Sequence, residues 1–140
     1  MVLNPNVALL YNNLGVALHS QRRNEEAVAV QKKAIALDPT MAMAYNNMGV
    51  AYNALGRHEE AIPAFTKAIQ LVPNNPEAIN NLGDSYVKLS RFEEGEKYLL
   101  QSLALQHFLV ALLLRERQLS LAGLRKTTDF SVACPQGGKT

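Results

Sequence analysis

The sequence predicts an all-α protein, an α-α superhelix in which antiparallel helix pairs stack as a solenoid. Three observations carry that expectation. Gly15, Gly49 and Gly83 recur every 34 residues, and so do Pro5, Pro39 and Pro73. A fixed period of that length marks a stacked repeat, each unit being one supersecondary element. Around the glycines a motif returns with little change: Tyr11-Asn12-Asn13-Leu14-Gly15, Tyr45-Asn46-Asn47-Met48-Gly49 and Ile79-Asn80-Asn81-Leu82-Gly83. Within a unit the apolar residues follow the i, i+3, i+4, i+7 spacing of a helix face.

Residues 1–7 read as the tail end of a preceding repeat or a linker. Leu3-Asn4-Pro5-Asn6 matches Leu37-Asp38-Pro39-Thr40 and Leu71-Val72-Pro73-Asn74, where later units end. No polar capping helix stands before the first unit, although terminal repeats ordinarily carry one. The outer face of the first helix is therefore expected to be uncovered.

Unit one, 8–41, has its first helix over 8–21, with Ala8, Tyr11, Leu14, Gly15 and Leu18 on one stripe. Asn24 is the expected N-cap of the second helix, with Glu25 and Glu26 in its electropositive first turn. Ala27, Val30, Ala34 and Leu37 form the apolar face, and Pro39 ends the helix because it lacks an N–H. Unit two, 42–75, repeats this with a turn at Gly56. Pro63 falls early in its second helix, where few backbone bonds are lost, so a mild bend is expected. Unit three, 76–106, keeps the first helix and has a drifted second one.

Beyond residue 106 the template fails. His107 stands where a terminating proline would, and Arg117 where the small crossing residue would. Residues 107–122 read in two ways: a separate C-terminal helix capping unit three, or a continuation of the helix that starts near residue 92. A long helix would leave a leucine stripe over 105–119 uncovered. From Gly123 to Thr140, Thr127-Thr128, Pro135 and Gly137-Gly138 suggest a flexible tail.

Composition excludes several classes. The chain has 140 residues, 48% hydrophobic and 19% charged, enough for one folded domain. A net charge of +2 gives no bulk attraction to nucleic acid or membrane. One cysteine, Cys134, cannot form an internal disulfide. The longest apolar run, 108–114, is far shorter than the roughly 20 residues of a bilayer span. No basic region followed by an apolar run opens the chain. A cytoplasmic protein is the default expectation.

No catalytic or metal site is expected. His19, His58 and His107 fall on different elements, and no His/Cys/Asp cluster has metal-ligand spacing. Cys134 has no base near it in sequence. The pairs Glu25-Glu26, Glu59-Glu60 and Glu93-Glu94 occupy the same first-turn place in each unit, which complementarity to the helix dipole explains. Gly137-Gly138-Lys139-Thr140 lacks the first glycine and the strand and helix of a phosphate-binding loop. No cofactor is implied.

The repeats resemble the tetratricopeptide repeat, over about residues 3–106. Unit two supplies Tyr45, Met48-Gly49, Tyr52, Ala61, Phe65, Ala68 and Pro73 at the pattern's offsets. Unit one supplies Tyr11, Leu14-Gly15, Leu18, Ala27, Ala34 and Pro39, with Gln31 in the second aromatic's place. Unit three departs at Ile79, Gly95, Ser102 and His107. The resemblance implies a non-enzymatic protein-interaction module whose first helices line a concave groove.

In such a groove the paired asparagines stand out, since asparagine is a mediocre helix former. Consecutive helical residues lie about 100° apart, so one of each pair can face the groove while the other meets a neighbouring helix. Asn13, Asn47 and Asn81 are the expected groove-facing set, with Asn12, Asn46 and Asn80 beside them. Val16, Val50, Met43, Asp84 and Lys88 complete the candidate site, together with Leu9, His19, Asn53 and Glu77. A side-chain amide both donates and accepts, which suits the backbone of an extended peptide. With helices about 10 Å apart and a peptide advancing about 3.3 Å per residue, one rung would meet every third ligand residue. The arrangement is similar to the asparagine ladder of O-linked N-acetylglucosamine transferases. The alternative is that the amides bond only between helices. The family's carboxylate clamp is not expected, because Asn12, Val16, Met43, Asn47 and Asn81 stand where its basic residues would.

The leading functional expectation is a scaffold binding an extended protein segment in the groove. The alternatives are a self-assembling module, through the uncapped first helix or the 105–119 stripe, and the targeting fragment of a larger enzyme such as a glycosyltransferase. An RNA-binding groove would need basic and base-stacking residues that this one lacks.

Overall fold

The computed structural model describes the backbone of residues 4–132 and the side chains of residues 4 and 6–116. Six helices follow one another: α1 (Pro5–Ser20), α2 (Asn24–Leu37), α3 (Ala42–Ala54), α4 (His58–Leu71), α5 (Pro76–Lys88) and α6 (Phe92–Val132). Among the described residues the fold is all-α, as the 34-residue period predicts. The chain divides into two compact units, one ending at Leu103 and one beginning at Ala104, and α6 runs from the first into the second.

The helices begin and end for local reasons. Asn75 caps α5 by accepting from the backbone N–H groups of Glu77 and Ala78, and Pro76 takes the first helical position, where its missing N–H costs nothing. α1 starts the same way: Asn4 accepts from the Asn6 N–H, and Pro5 opens the helix. The expectation that residues 1–7 end an earlier element is thereby corrected from Pro5 onward, and residues 1–3 lie outside the described residues. Asn24 is likewise not an N-cap. Arg23 holds that place without a side-chain cap bond, and Asn24 is the first helical residue. Its carboxamide oxygen is taken by His19, whose Nδ1 lies 2.6 Å away.

The turn inside each helix pair needs one residue in the left-handed region. That residue is Arg22 (φ 63°), Gly56 (φ 75°) or Ser90 (φ 61°), again 34 apart. Only unit two uses glycine there, the residue that adopts this conformation without a Cβ penalty. Pro63 lies within α4, which passes through it unbroken to Leu71.

Packing within a pair rests on a close crossing. A Cβ on Gly49 would stand 2.6 Å from Cε1 of Phe65, so the absent side chain is the space the ring occupies. Phe65 is fully buried in a cluster with Leu18, Ala27, Val28, Ala51, Tyr52, Ala61 and Leu82, and burying such a ring contributes about 2–3 kcal/mol. In unit one the same place over Gly15 is filled by Gln31, also buried. Its Nε2 donates to the backbone carbonyl of Asn12 at 3.0 Å, while its Oε1 has no partner among the described residues. In unit three Ser102 replaces the small alanine, and its hydroxyl donates to the carbonyl of Pro76 at 2.8 Å. That bond explains how a polar residue is tolerated at a position as buried as Ala34 and Ala68.

The segment 107–122 is not a separate capping helix. α6 is continuous from Phe92 to Val132, because no proline or glycine punctuates 96–122. Phe108, Leu109, Val110, Leu112, Leu113 and Leu114 are all exposed. The tail expected from Gly123 is helical through Val132, and residues 133–140, including Cys134, lie outside the described residues. Continuity also joins short apolar runs. Phe92–Glu116 contains an 18-residue window with a mean hydropathy of 1.4, long and apolar enough to cross a bilayer by length and composition. Its first part is nonetheless packed on α5, with Gly95 and Ser102 buried.

Candidate functional site

Within the first unit of the chain, α3 touches both α1 and α5, whereas α2 and α4 do not touch each other. The helices α1, α3 and α5 therefore form the tighter, inner layer, and their free face is the concave one. Side chains on that face repeat in register: Leu9, Met43 and Glu77; Asn13, Asn47 and Asn81; Val16, Val50 and Asp84; Ser20, Ala54 and Lys88. Leu9, Asn13, Val16, Met43 and Lys88 are exposed, and Asn47, Val50, Asn81 and Asp84 are half-buried. The stripe is apolar on α1 and α3 and charged on α5. There Lys88 pairs with Asp84 at 2.9 Å, so the one cation of the stripe is engaged by a carboxylate one turn away.

The asparagines divide by depth. Asn12 and Asn46 are buried, Asn47 and Asn81 are half-buried, and Asn13 and Asn80 are exposed. Nδ2 of Asn47 donates to Oδ1 of Asn12 at 2.9 Å, and Nδ2 of Asn81 donates to Oδ1 of Asn46 at 3.3 Å. Each rung joins the second asparagine of one unit to the first of the unit before it. Asn46 continues the line by donating to Glu77 at 3.3 Å. Nδ2 of Asn12 is buried without a partner among the described residues. The Oδ1 atoms of Asn47 and Asn81 take no hydrogen bond from the described residues, and each remains an acceptor at the groove surface.

Sequence reasoning missed a second polar line at the floor of the pairs. Asn53 accepts from His58 Nδ1 at 2.8 Å and donates to Ser85 at 2.8 Å, and Ser85 in turn reaches the carbonyl of Asn81. His19 and Asn24 make the unit-one version with the two residues exchanged. The signal was present in the exchange itself, since His19 aligns with Asn53 and Asn24 with His58 at the 34-residue spacing.

Electrostatics outside the groove are simple. Arg23, Arg57 and Arg91 each bond the glutamate three residues on, at 2.6, 2.6 and 2.7 Å. Those hydrogen bonds hold the carboxyls of Glu26, Glu60 and Glu94 below the usual carboxylate range. Arg57 and Arg91 also stack over Tyr52 and Tyr86. No group of three His, Cys, Asp or Glu residues close enough to hold a metal exists among the described residues.

Family models described as Tetratricopeptide repeat match residues 42–75 and 64–97, and one described as TPR repeat matches 17–56. Together they run over more than half of the sequence, and the chain belongs to the tetratricopeptide repeat family. Among solved structures it is similar to MamA, at 29% identity and a TM-score of 0.72, covering 79% of this chain. The chain spans 64% of that MamA chain, just under two thirds of its length. It shares its fold with the first TPR of Spaghetti (RPAP3) bound to the HSP90 peptide SRMEEVD, at 23% identity and a TM-score of 0.74, covering 87% of this chain and 98% of that one. The first TPR domain of human RPAP3 is similar at 24% identity and a TM-score of 0.72, with 86% and 96% covered. No curated protein sequence matches the chain. Fold and family together support a protein-interaction scaffold, since domains of this family are generally non-enzymatic interaction modules.

Proposed function

We propose that the concave face of α1, α3 and α5 binds an extended segment of another protein, read through backbone contacts to Asn47 and Asn81. The observation that carries this is the state of those two amides. Each spends one N–H on the neighbouring helix, which fixes its rotamer, and keeps its Oδ1 free at the groove surface. A fixed acceptor loses little side-chain entropy on binding. Spaced along the stack, such acceptors suit the N–H groups of a strand-like ligand. Leu9, Val16, Met43 and Val50 line the same stripe and favour apolar ligand side chains on the α1–α3 side.

The chemistry disfavours an acidic peptide such as SRMEEVD, which the RPAP3 domain holds. The stripe offers asparagine, valine and methionine, and its lysine is already paired with Asp84. The test is selection of binders from a displayed library of random linear peptides. Calorimetry of the best binder follows, on the wild type and on an Asn13/Asn47/Asn81→Ala variant. A tenfold or larger loss supports the groove, and equal affinities contradict it.

A further inference from the structure

Among the described residues of 4–103, the two ends of the repeat stack expose complementary positions. On the leading side, Leu10 and Leu14 are 66% and 48% exposed. Their equivalents one and two units later are Ala44 and Met48, then Ala78 and Leu82. Ala44 and Ala78 are fully buried and Leu82 nearly so, because the preceding unit covers them. On the trailing side, Leu103 is 48% exposed, whereas Ile69, its equivalent one unit earlier, is packed on the core. Val87, Phe92, Glu96, Leu99, Leu100 and Leu103 surround a hollow of about 380 Å³ there. Five of these six are apolar.

Polar groups at both ends match the same register. Inside the stack, the second asparagine of one unit donates to the first of the unit before, and Arg57 reaches Glu25 of the preceding unit at 3.4 Å. At the ends Asn13 is an exposed donor without its rung, and Asn80 an exposed acceptor without its own. By the same spacing Arg23 stands at the leading end as the equivalent of Arg57, and Glu93 at the trailing end as the equivalent of Glu25.

We infer that a second copy of this chain docks head to tail, its α1 laid on the α5–α6 face of the first so that the 34-residue register continues across the junction. Leu10 and Leu14 of the incoming copy fill the hollow, Asn13 donates to Asn80, and Arg23 meets Glu93. The repeat register argues for this occupant over an unrelated helix, because the apolar, amide and charged positions at one end each find their in-stack partner at the other. Such a contact is heterologous, so each added copy presents a fresh trailing face to the next.

The test is sedimentation velocity of the full chain from micromolar to millimolar concentration. The wild type is expected to grow in mass with concentration. Leu10→Glu and Leu103→Glu, both at exposed positions, are each expected to remain monomeric. Their equimolar mixture is expected to stop at a one-to-one dimer, since one intact leading face and one intact trailing face remain. Glu96→Leu, which removes the one charge in the hollow, is expected to shift assembly to at least tenfold lower concentration. If either glutamate variant perturbs the helical spectrum, Arg23→Glu and Glu93→Arg repeat the logic, each weakening assembly alone and restoring it when mixed. A wild type that stays monomeric throughout overturns the proposal. So do single variants that keep the wild-type mass distribution, which would place assembly on another surface, and a mixture that stays monomeric.

Discussion

Asn47 donates its side-chain amide to Asn12 across the α1–α3 contact, at 2.9 Å. One bond thereby ties the groove surface to the buried seam between units. Asn12 is fully buried and brings no apolar surface of its own, so its amide stabilises the stack only through such partners. A double-mutant cycle on Asn12→Ala and Asn47→Ala is expected to give a coupling of about 1 kcal/mol, the usual net worth of a protein hydrogen bond. Urea denaturation checks it. Additive effects would show that the bond contributes nothing.

Gln31→Phe is expected to stabilise the chain by about 1 kcal/mol. It removes a buried, unpartnered Oε1 and places over Gly15 the ring that Phe65 places over Gly49. The reverse change, Phe65→Gln, is expected to cost about 3 kcal/mol or more through lost burial. Denaturation midpoints of the two variants decide both signs.

The inner turns give a third expectation. Ser90→Gly is expected to raise stability by about 0.5–1 kcal/mol, because Ser90 holds a φ of 61° that glycine adopts freely. Gly56→Ala meets no atom within 4 Å, so its cost of about 1 kcal/mol is conformational alone. Opposite shifts in melting temperature are the readout.

The arginine–glutamate pairs set a pH dependence. Glu26, Glu60 and Glu94 have depressed carboxyl pKa values in the folded state, the arginine hydrogen bond being the main cause. Their contribution is therefore present above the ordinary carboxylate value of 4.5 and is lost as pH falls through the depressed folded value. The pairs are solvent-exposed, so the effect is small and screened by salt. Arg57→Gln is expected to lower the melting temperature at neutral pH, with the difference vanishing in strong acid and shrinking at high ionic strength.

Much of this was legible in the sequence, for reasons that can be named. The 34-residue spacing of the glycines forces the repeat. The i, i+3, i+4 stripes and the prolines then place α2 to α5, and the motif positions Tyr52, Ala61, Phe65 and Ala68 are buried in the structure. What escaped reading was set by context. Pro5 resembles the prolines that close later units, yet next to Asn4 it opens a helix. Asn24 has an N-cap's composition, but His19 takes its oxygen. The fate of 107–122 turned on the absence of any breaker, which leaves helix continuation as the local default and says nothing of what covers it. Within the candidate groove, spacing alone separated Asn47 and Asn81 from Asn46. It did not show that the same amides also bond the neighbouring unit, because a rung depends on the distance between helices.

The most direct test of the groove is the response of the asparagine side chains themselves. A side-chain amide spectrum of ¹⁵N-labelled chain is recorded during titration with a linear peptide selected for binding. The resonances of Asn47 and Asn81 are expected to shift together and to saturate with the peptide's affinity, while the buried Asn12 moves less. Saturable binding that leaves Asn47 and Asn81 unmoved, with shifts confined to α2 and α4, would contradict the account.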